Sequence, residues 1–224
     1  MPSLAPQLFC IAALNSDDIV YVYFIFESTF ADSTSHGITF NNDGTKMFIC
    51  GQSSDRIFEY ALTTGFDVST ASYTSNSYNV QPNLYKPMAV QFNADGTKMF
   101  VLDEIQDRVN EYTLSTGFDL SSTVTFVDSV SIRSQDGDPR EVEFNSDGTK
   151  MFVLGRANDR VYQYTLSTGF DVTSTVTFVD SVSVASQNGA ANGLAFNADG
   201  TRMFVLGQND AIVAEDDYVY EYTL

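Results

Sequence analysis

Apolar residues in this chain occur in short runs that Gly, Asn, Asp and Ser interrupt, and several runs alternate apolar with polar positions. Such runs are typical of β-strands, and no stretch shows the 3.6-residue apolar stripe of an amphipathic helix. Within residues 139–190 the pattern predicts four strands. The predicted strands are 140–145, 150–155, 160–166 and 175–184. The second is apolar at nearly every position, as expected of a strand that is covered on both faces.

A ten-residue segment recurs four times at intervals of 52 residues. Its copies are FNNDGTKMFI at 40–49, FNADGTKMFV at 92–101, FNSDGTKMFV at 144–153 and FNADGTRMFV at 196–205. The Asp-Gly pair in each copy favours a tight turn, so each copy predicts a hairpin between the first two strands of a repeat. Four antiparallel strands in a tandem repeat of about 50 residues are typical of a β-propeller blade.

We therefore predict an all-β fold, a β-propeller of four-stranded antiparallel blades, with four or five blades and a ring closed by the N-terminal strands. Residues 1–36 are predicted to form a partial repeat that carries the closing strands. The predicted blades are 37–86, 87–138, 139–190 and 191–224, all in one domain. The fourth blade lacks its own last strand.

How the ring closes is left open by the sequence. Residues 17–23 (DDIVYVY) are similar to 216–222 (DDYVYEY), which indicates that the N-terminus contains part of a preceding repeat. This part could complete the last blade of a four-bladed ring or form a small fifth blade. The third possibility is an open arc, completed by a second chain or belonging to a longer protein. Unpaired edge strands promote association, so an open arc is expected to dimerise or aggregate.

The repeats resemble those of known propeller families over about residues 37–224. The run Gly193–Phe196 followed by Asp199 and Gly200, and the triplet Asp159–Val161, resemble the YVTN- and NHL-type propeller repeats. The segment DGTKMFV is also similar to repeats of bacterial surface proteins and phage tail-fibre-like proteins. The resemblance implies the propeller fold, whereas propellers carry many unrelated functions. Propeller lactonases and calcium-dependent gluconolactonase-like hydrolases are the enzymes that this fold brings into consideration.

The charge balance argues against two classes of partner. The chain has 29 Asp and Glu residues against 11 Lys and Arg, a net charge of −18. Such a chain repels a phosphate backbone, so we expect no nucleic acid and no anionic membrane surface as partner. The longest apolar run, 19–26, has eight residues, against the roughly 20 of a membrane-spanning helix, so we expect no membrane insertion.

Histidine and cysteine are too scarce for several common kinds of site. His36 is the one histidine, and Cys10 and Cys50 are the two cysteines. A conventional zinc site is therefore excluded, and a Ser-His-Asp mechanism would have to use His36. We expect both thiols to be small buried apolar groups, with a disulfide between them as the alternative.

Loops on one side of the repeats differ between copies, whereas the turns on the other side are nearly constant. Variable loops on a fixed scaffold commonly carry binding specificity, and polar groups at a channel mouth form a default pocket. The predicted binding residues are His36, Tyr85, Gln91, Asp103, Glu104, Asp136, Asp138, Arg140, Glu143 and Asn209. Gln91 and Glu143 lie on predicted innermost strands. The alternatives are surface loops that vary freely and a channel that holds only water.

A calcium ion is the one cofactor that the sequence suggests. The acidic residues Asp210, Glu215, Asp216 and Asp217 lie close together in a loop insertion, and carboxylates are calcium ligands. A solvated run of charge is the alternative. The NxDGT segments lack the first acidic ligand and the distal Glu of a calcium loop, so they are predicted to be hairpin turns.

These observations lead us to expect a non-catalytic binding or display module that recognises a glycan or a protein through its variable loops. An extracellular or virion-associated location, and a homo-oligomer or a place in a larger surface assembly, accompany that expectation. The alternative is a metal-assisted, lactonase-like hydrolase at the channel mouth, with Glu143 as metal ligand or base. A scaffold without a ligand of its own is the third possibility.

Overall fold

The strands predicted from the repeat assemble into four antiparallel sheets. The computed structural model describes residues 32–81, 83–186, 190–208 and 217–224. Within them each repeat forms one sheet, and we call these sheets blades 1 to 4. Apart from one short 3-10 turn at Val68–Thr70, the regular structure of these residues is β-strand. The architecture is an all-β propeller of four blades, as predicted.

The strands follow chain order from the inside of each blade to its outside. Blade 1 contains β1 (Ser35–Phe40), β2 (Lys46–Gly51), β3 (Arg56–Leu62) and β4 (Ala71–Asn79). Blade 2 contains β5 (Pro87–Phe92), β6 (Lys98–Asp103), β7 (Arg108–Leu114) and β8 (Val124–Ser131). Blade 3 contains β9 (Pro139–Phe144), β10 (Lys150–Gly155), β11 (Arg160–Leu166) and β12 (Val176–Ser183). Blade 4 contains β13 (Ala191–Phe196), β14 (Arg202–Gln208) and β15 (Asp217–Thr223). The four strands predicted in blade 3 agree with β9–β12 to within one residue at each end.

The repeated NxDGT segment forms the hairpin between the first two strands of every blade. Gly44 in blade 1 has a φ of 72°, a left-handed conformation that favours glycine. The Asp43 carboxylate accepts hydrogen bonds from the backbone N–H and the hydroxyl of Thr45, at 3.0 and 2.6 Å. These bonds lower the pKa of Asp43. The Asp, Gly and Thr positions of the segment therefore have the roles expected in a hairpin turn, and the predicted hairpin is confirmed.

The apolar core lies between consecutive blades. Phe48 and Cys50 of blade 1 pack with Val90, Met99 and Tyr112 of blade 2, and all five side chains are buried. The same arrangement recurs between blades 2 and 3 and between blades 3 and 4. Burial of this kind contributes about 25 cal/mol per Å² of apolar surface, which makes the contact between blades the main source of stability. Strands β2, β6 and β10 are buried on both faces, as predicted.

An ion pair between a half-buried lysine and a buried glutamate, which we call the latch, joins each of the first two blades to the next. In blade 1, Lys46 Nζ lies 3.1 Å from Glu59 Oε1 and donates to the carbonyl of Phe118, at 2.6 Å. The other oxygen of Glu59 accepts the N–H of Leu120, at 2.8 Å. The Phe118 carbonyl, which Lys46 contacts, and the Leu120 N–H, which Glu59 accepts, both belong to the loop between β7 and β8. The latch thus ties a strand pair of one blade to a loop of the following blade.

Blade 2 has an equivalent latch to blade 3. Lys98 Nζ is 2.8 Å from Glu111 Oε1 and 2.6 Å from the carbonyl oxygen of Phe170, and the N–H of Val172 donates to Glu111 Oε2 at 2.8 Å. In blade 3 the acidic position is occupied by Gln163. The chain therefore contains two complete latches within its described residues.

The innermost strands surround the central space. Strand β5 contacts β1 and β9, and β9 contacts β13. Among the described residues, no contact of comparable extent joins β13 to β1.

Some sequence predictions concern residues outside the described ranges. The predicted closing strands before residue 32 and the thiol of Cys10 belong to this group. Cys50 is buried, as expected, and burial raises the pKa of its thiol. In the described part of the chain, no helix has the length and apolar character that crossing a membrane requires.

The latch provides a test of how the blades are held together. We expect Glu111→Ala to lower the free energy of unfolding by about 2–4 kcal/mol, because it leaves the Lys98 ammonium and the Val172 N–H without their buried acceptor. Gln163→Ala is the matched control, and we expect a loss below about 0.5 kcal/mol. Urea unfolding measures both values. Equal losses in the two variants would show that the latch adds nothing to stability.

Candidate functional site

The inner strands enclose a cavity of about 1560 Å³ that includes the central channel. Residues 52 positions apart occupy equivalent places around it, so part of its lining forms two rings. The mouth ring consists of His36, Met88, Arg140 and Asn192, and the middle ring consists of Thr39, Gln91, Glu143 and Ala195. Each ring takes one residue from every blade. The prediction that Gln91 and Glu143 face the channel agrees with this placement.

The middle ring contains one ionisable group, Glu143 of β9. Glu143 is half-buried, and desolvation raises the pKa of its carboxyl from the ordinary 4.5 to about 8. Glu141 lies two residues earlier on the same strand and also lines the cavity. Burial, and secondarily the charge of Glu143, raises the pKa of Glu141. The channel thus holds two carboxyl groups that retain their protons to unusually high pH.

The amide of Gln91 is oriented by its neighbour in the middle ring. The Thr39 hydroxyl donates to Gln91 Oε1 across the contact between blades 1 and 2, at 3.4 Å. The NH₂ group of Gln91 is then the part of the amide that can donate a hydrogen bond to a molecule in the channel. The middle ring accordingly combines Glu143, which can accept or donate a proton, with Gln91, a neutral hydrogen-bond donor on the adjacent inner strand β5.

Charged residues from blades 2 and 3 meet at the mouth. Arg140 Nη1 lies 3.1 Å from Glu104 Oε2, and Arg140 Nη2 lies 2.6 Å from Asp138 Oδ1. Lys86 Nζ is 2.5 Å from the same oxygen of Glu104. This network fixes Arg140 at the channel entrance, with its guanidinium mostly buried. The structure therefore brings together three predicted residues, Glu104, Asp138 and Arg140.

Two predicted residues support loops instead of lining the cavity. Asp103 is fully buried, and its carboxylate accepts the N–H groups of Tyr85 and Ile105, at 3.1 and 2.9 Å. Asp136 is also buried, and its oxygens accept the N–H groups of Asp138, Ala157 and Asn158. Buried backbone donors need such acceptors, which gives both carboxylates a structural role.

The remaining predicted binding residues have separate locations. His36 lines the mouth, and its Nε2 lies 2.5 Å from Gln52 Oε1. Tyr85 is exposed in the loop before β5 and is not part of the cavity lining. Asn209 lies outside the described residues.

The described residues do not assemble a metal site. Asp210, Glu215 and Asp216 lie outside the described ranges, and Asp217 is the first residue of β15. Elsewhere in the described ranges, no group of three or more His, Cys, Asp and Glu side chains has the arrangement to hold a metal ion. The channel itself contains two carboxyl groups, those of Glu141 and Glu143. Calcium binding at the loop insertion stays a prediction.

The structure adds cavity residues that the sequence analysis did not select. Asn192 and Met88 complete the mouth ring, and Arg156 lines the cavity beside Arg140. Arg156 has no ion pair with another described side chain. Two of these residues, Met88 and Asn192, were predictable from the 52-residue period, because they lie one period before and one period after Arg140. Arg156 lies in a loop whose course the repeat does not specify.

Comparisons with known proteins agree on the propeller. The family model described as "Lactonase, 7-bladed beta-propeller" matches residues 28–215. A putative 6-phosphogluconolactonase from Bacteroides uniformis shares 13% identity and a TM-score of 0.54, over 85% of this chain and 55% of that chain. One from Bacteroides fragilis shares 15% identity and a TM-score of 0.55, again over 85% and 55%. The periplasmic gluconolactonase of Pseudomonas aeruginosa shares 15% identity and a TM-score of 0.52, over 79% and 50%. No curated protein matches this sequence.

Two limits follow from these values. At such identities the structural similarity shows the fold alone. The chain also spans about half the length of the solved structures that it matches. The comparisons support a β-propeller, whereas they do not confirm the YVTN, NHL or tail-fibre-like repeat families. An extracellular or virion-associated location stays a prediction.

The comparisons correct the predicted function. The expectation of a non-catalytic binding or display module, and with it the absence of enzymatic activity, is wrong, because the family match favours the alternative, a lactonase-like hydrolase. Variable loops and acidic residues suggested binding. The carboxylates of Asp103 and Asp136, however, accept hydrogen bonds from backbone N–H groups of loops. The family model covers most of the length of this chain, and the chain therefore belongs to the lactonase family of β-propellers.

Proposed function

We propose that this chain contributes to the hydrolysis of a lactone, with Glu143 as the general base in the channel. The observation that carries the proposal is the carboxyl of Glu143 at the middle ring, with a pKa raised to about 8, in a chain of the lactonase family. A group with a pKa near the working pH is suited to take and return a proton. The names of the structural neighbours, gluconolactonase and putative 6-phosphogluconolactonase, suggest a sugar lactone as substrate.

The proton balance of lactone opening fits one carboxyl group. Ionised Glu143 accepts a proton from water as the water oxygen bonds to the ester carbonyl carbon. The carbon–oxygen bond of the ring then breaks, and the protonated carboxyl gives its proton to the departing ring oxygen. The product is an open hydroxy acid, and Glu143 is ionised again. No metal ion enters this sequence of steps.

The negative charge that develops on the carbonyl oxygen needs a hydrogen-bond donor. Gln91 is the donor of the middle ring, since Thr39 occupies its oxygen and leaves the NH₂ group available. A preorganised donor of this kind commonly contributes 100-fold or more to the rate. Arg140 at the mouth lies between its acidic partners and provides a fixed positive group at the entrance.

The first test replaces the carboxyl group of Glu143. We expect Glu143→Gln to lower kcat/KM for glucono-δ-lactone or its 6-phosphate by at least about 100-fold, because proton transfer is lost. Asp180→Asn is the matched control: it also replaces a carboxyl group by an amide, but Asp180 is exposed on the outer strand β12, away from the cavity. Hydrolysis is followed by acid release, with the rate in the absence of protein subtracted. Activity of Glu143→Gln equal to that of the control would exclude Glu143 as the base.

The pH dependence of the rate gives a second test. The ionised form of Glu143 is the base, so we expect kcat/KM to rise with pH through the pKa of about 8 and to level off above about pH 9. Between pH 7 and pH 9 the ionised fraction of a group with this pKa increases about tenfold. A profile that is flat over this interval, after subtraction of spontaneous hydrolysis, would contradict the assignment.

The same pKa predicts an effect on stability that does not depend on activity. Between about pH 4.5 and pH 8 the unfolded chain releases the Glu143 proton while the folded chain retains it, so the folded state loses stability as pH rises. Glu143→Gln removes this dependence. We therefore expect the Tm of the variant, relative to wild type, to increase from pH 4.5 to pH 8 and then to stay constant. A Tm difference independent of pH would show that the carboxyl has an ordinary pKa.

A further inference from the structure

The position two residues before Glu143 forms a third ring around the channel. Glu141 occupies this position in blade 3, and Gly37, Ala89 and Gly193 lie at the equivalent positions of the other three blades. Three of the four side chains are therefore no larger than a methyl group. Glu141 is the one member of this ring with a functional group, and its side chain lines the cavity.

The backbone around this ring leaves space for one long side chain. Strands β1 and β5 approach so closely that a Cβ atom at Gly37 would lie 2.7 Å from Ala89 Cα, which excludes a side chain there. At Gly193, by contrast, an added Cβ atom would lie 3.4 Å from Leu206 Cβ, an ordinary contact distance. The Glu141 side chain thus has no bulky neighbour within its own ring.

Glu141 and Glu143 project from the same face of β9. Side chains alternate between the two faces of a strand, and Val142, which separates these residues, is fully buried in the core between blades 2 and 3. Both carboxyl groups consequently face the cavity, from Cα positions about 7 Å apart along the strand. Repulsion by Glu143 is among the causes that raise the pKa of Glu141, which agrees with this proximity.

No cation neutralises this pair of carboxyl groups within the described residues. Glu141 Oε1 accepts the N–H of Val142, the next residue in the chain, at 3.2 Å. Neither Glu141 nor Glu143 forms an ion pair with a described side chain. Arg140, the preceding residue of β9, pairs instead with two acidic side chains at the mouth. Two neighbouring carboxyl groups in such a place do not both ionise near neutral pH.

The order in which the two groups ionise gives them different chemical roles. Burial raises the pKa of both carboxyl groups, and the charge of Glu143 raises that of Glu141 in addition. Glu143 therefore loses its proton first, and its charge then keeps the proton on Glu141. A protonated carboxyl group has an O–H and donates a hydrogen bond. The channel thus presents a base and a neutral donor on one face of β9.

We propose that protonated Glu141 donates a hydrogen bond to the carbonyl oxygen of the lactone while Glu143 activates the water. This inference rests on the proposed hydrolysis and adds a second donor to that of Gln91. The negative charge that develops on the carbonyl oxygen is then shared between an amide NH₂ group and a carboxyl O–H group. A carboxylic acid that its site keeps neutral is suited to this role. The proton stays on Glu141 throughout, so the proton balance of ring opening still passes through Glu143 alone.

Two substitutions of similar size separate hydrogen-bond donation from bulk. We expect Glu141→Gln, which keeps an N–H donor, to retain kcat/KM for glucono-δ-lactone at pH 7 within about threefold. Glu141→Leu keeps most of the volume and removes the donor, and we expect kcat/KM to fall at least about 100-fold, mostly through kcat. Circular dichroism checks that both variants are folded. Equal activities of the two variants, whether high or low, would overturn the proposal.

Binding of a sugar lactam tests the donor without catalysis. A lactam has a ring and a carbonyl oxygen like those of the substrate, and its amide bond resists hydrolysis. We expect calorimetry to give the same Kd for wild type and Glu141→Gln within about twofold, and a Kd at least about tenfold higher for Glu141→Leu. Wild-type affinity in Glu141→Leu, or a wild-type chain that binds no lactam, would overturn the proposal.

Infrared spectroscopy observes the donating group itself. The Glu143→Gln variant leaves Glu141 as the carboxyl group of this pair, and subtracting the spectrum of the variant with both glutamates replaced by glutamine isolates its band. At pH 7 we expect the carbonyl stretch of a protonated carboxyl group, which shifts when lactam is added because the O–H then donates to the ligand. The band of an ionised carboxylate in its place would contradict the proposal.

These measurements distinguish failure of this inference from failure of the proposed function. If Glu141→Leu hydrolyses the lactone as fast as wild type while Glu143→Gln is inactive, the function stands and the role of Glu141 is overturned. If the wild-type chain does not hydrolyse the lactone, but lactam affinity and the infrared band both depend on Glu141, the function fails while Glu141 is supported as a donor to a bound carbonyl group.

Discussion

The fold depends on the need of each blade to cover both of its faces. A blade is a single sheet, and its second strand, such as β6, is apolar on both sides, so an isolated blade leaves a large apolar surface in water. Stacking the blades buries this surface on both sides of every internal blade. The near identity of the four ten-residue segments is consistent with that requirement, because each segment supplies the hairpin and the strand that pack against neighbours. The latches add directional contacts to an otherwise non-directional apolar interface.

The same constraint explains where the chain is free to differ between repeats. A residue that packs between blades is held by two neighbours, whereas a residue of the middle ring has the channel on one side. Thr39, Gln91, Glu143 and Ala195 therefore differ in chemistry although the strands that carry them are alike. One carboxyl group can be placed in a ring of otherwise neutral residues without disturbing the contacts between blades. Its environment, largely desolvated by the surrounding inner strands, then raises its pKa.

Local signals made most of the fold predictable from the sequence. Alternation and the Asp-Gly pairs depend on neighbours in the chain, so strands and hairpins were predicted with bounds close to those observed. The period also placed Gln91 and Glu143 on the channel. It did not reveal that Asp103 and Asp136 hold loops, because Asp136 accepts N–H groups more than twenty residues away, in a loop whose path no local pattern specifies. Acidic loop residues consequently looked like a binding surface, and the function inferred from them was wrong.

The arrangement of blades also bears on the chemistry in the channel. The cavity next to Glu143 is also lined by the exposed apolar residues Ile38 and Leu206. A carboxyl group keeps a high pKa only where water is scarce. Hydrolysis needs one positioned water molecule, and general solvent around the base weakens every electrostatic contact with the developing charge. The inner strands that desolvate Glu143 therefore act on the reaction in two ways, because they raise the pKa of its carboxyl and keep general solvent away from the developing charge.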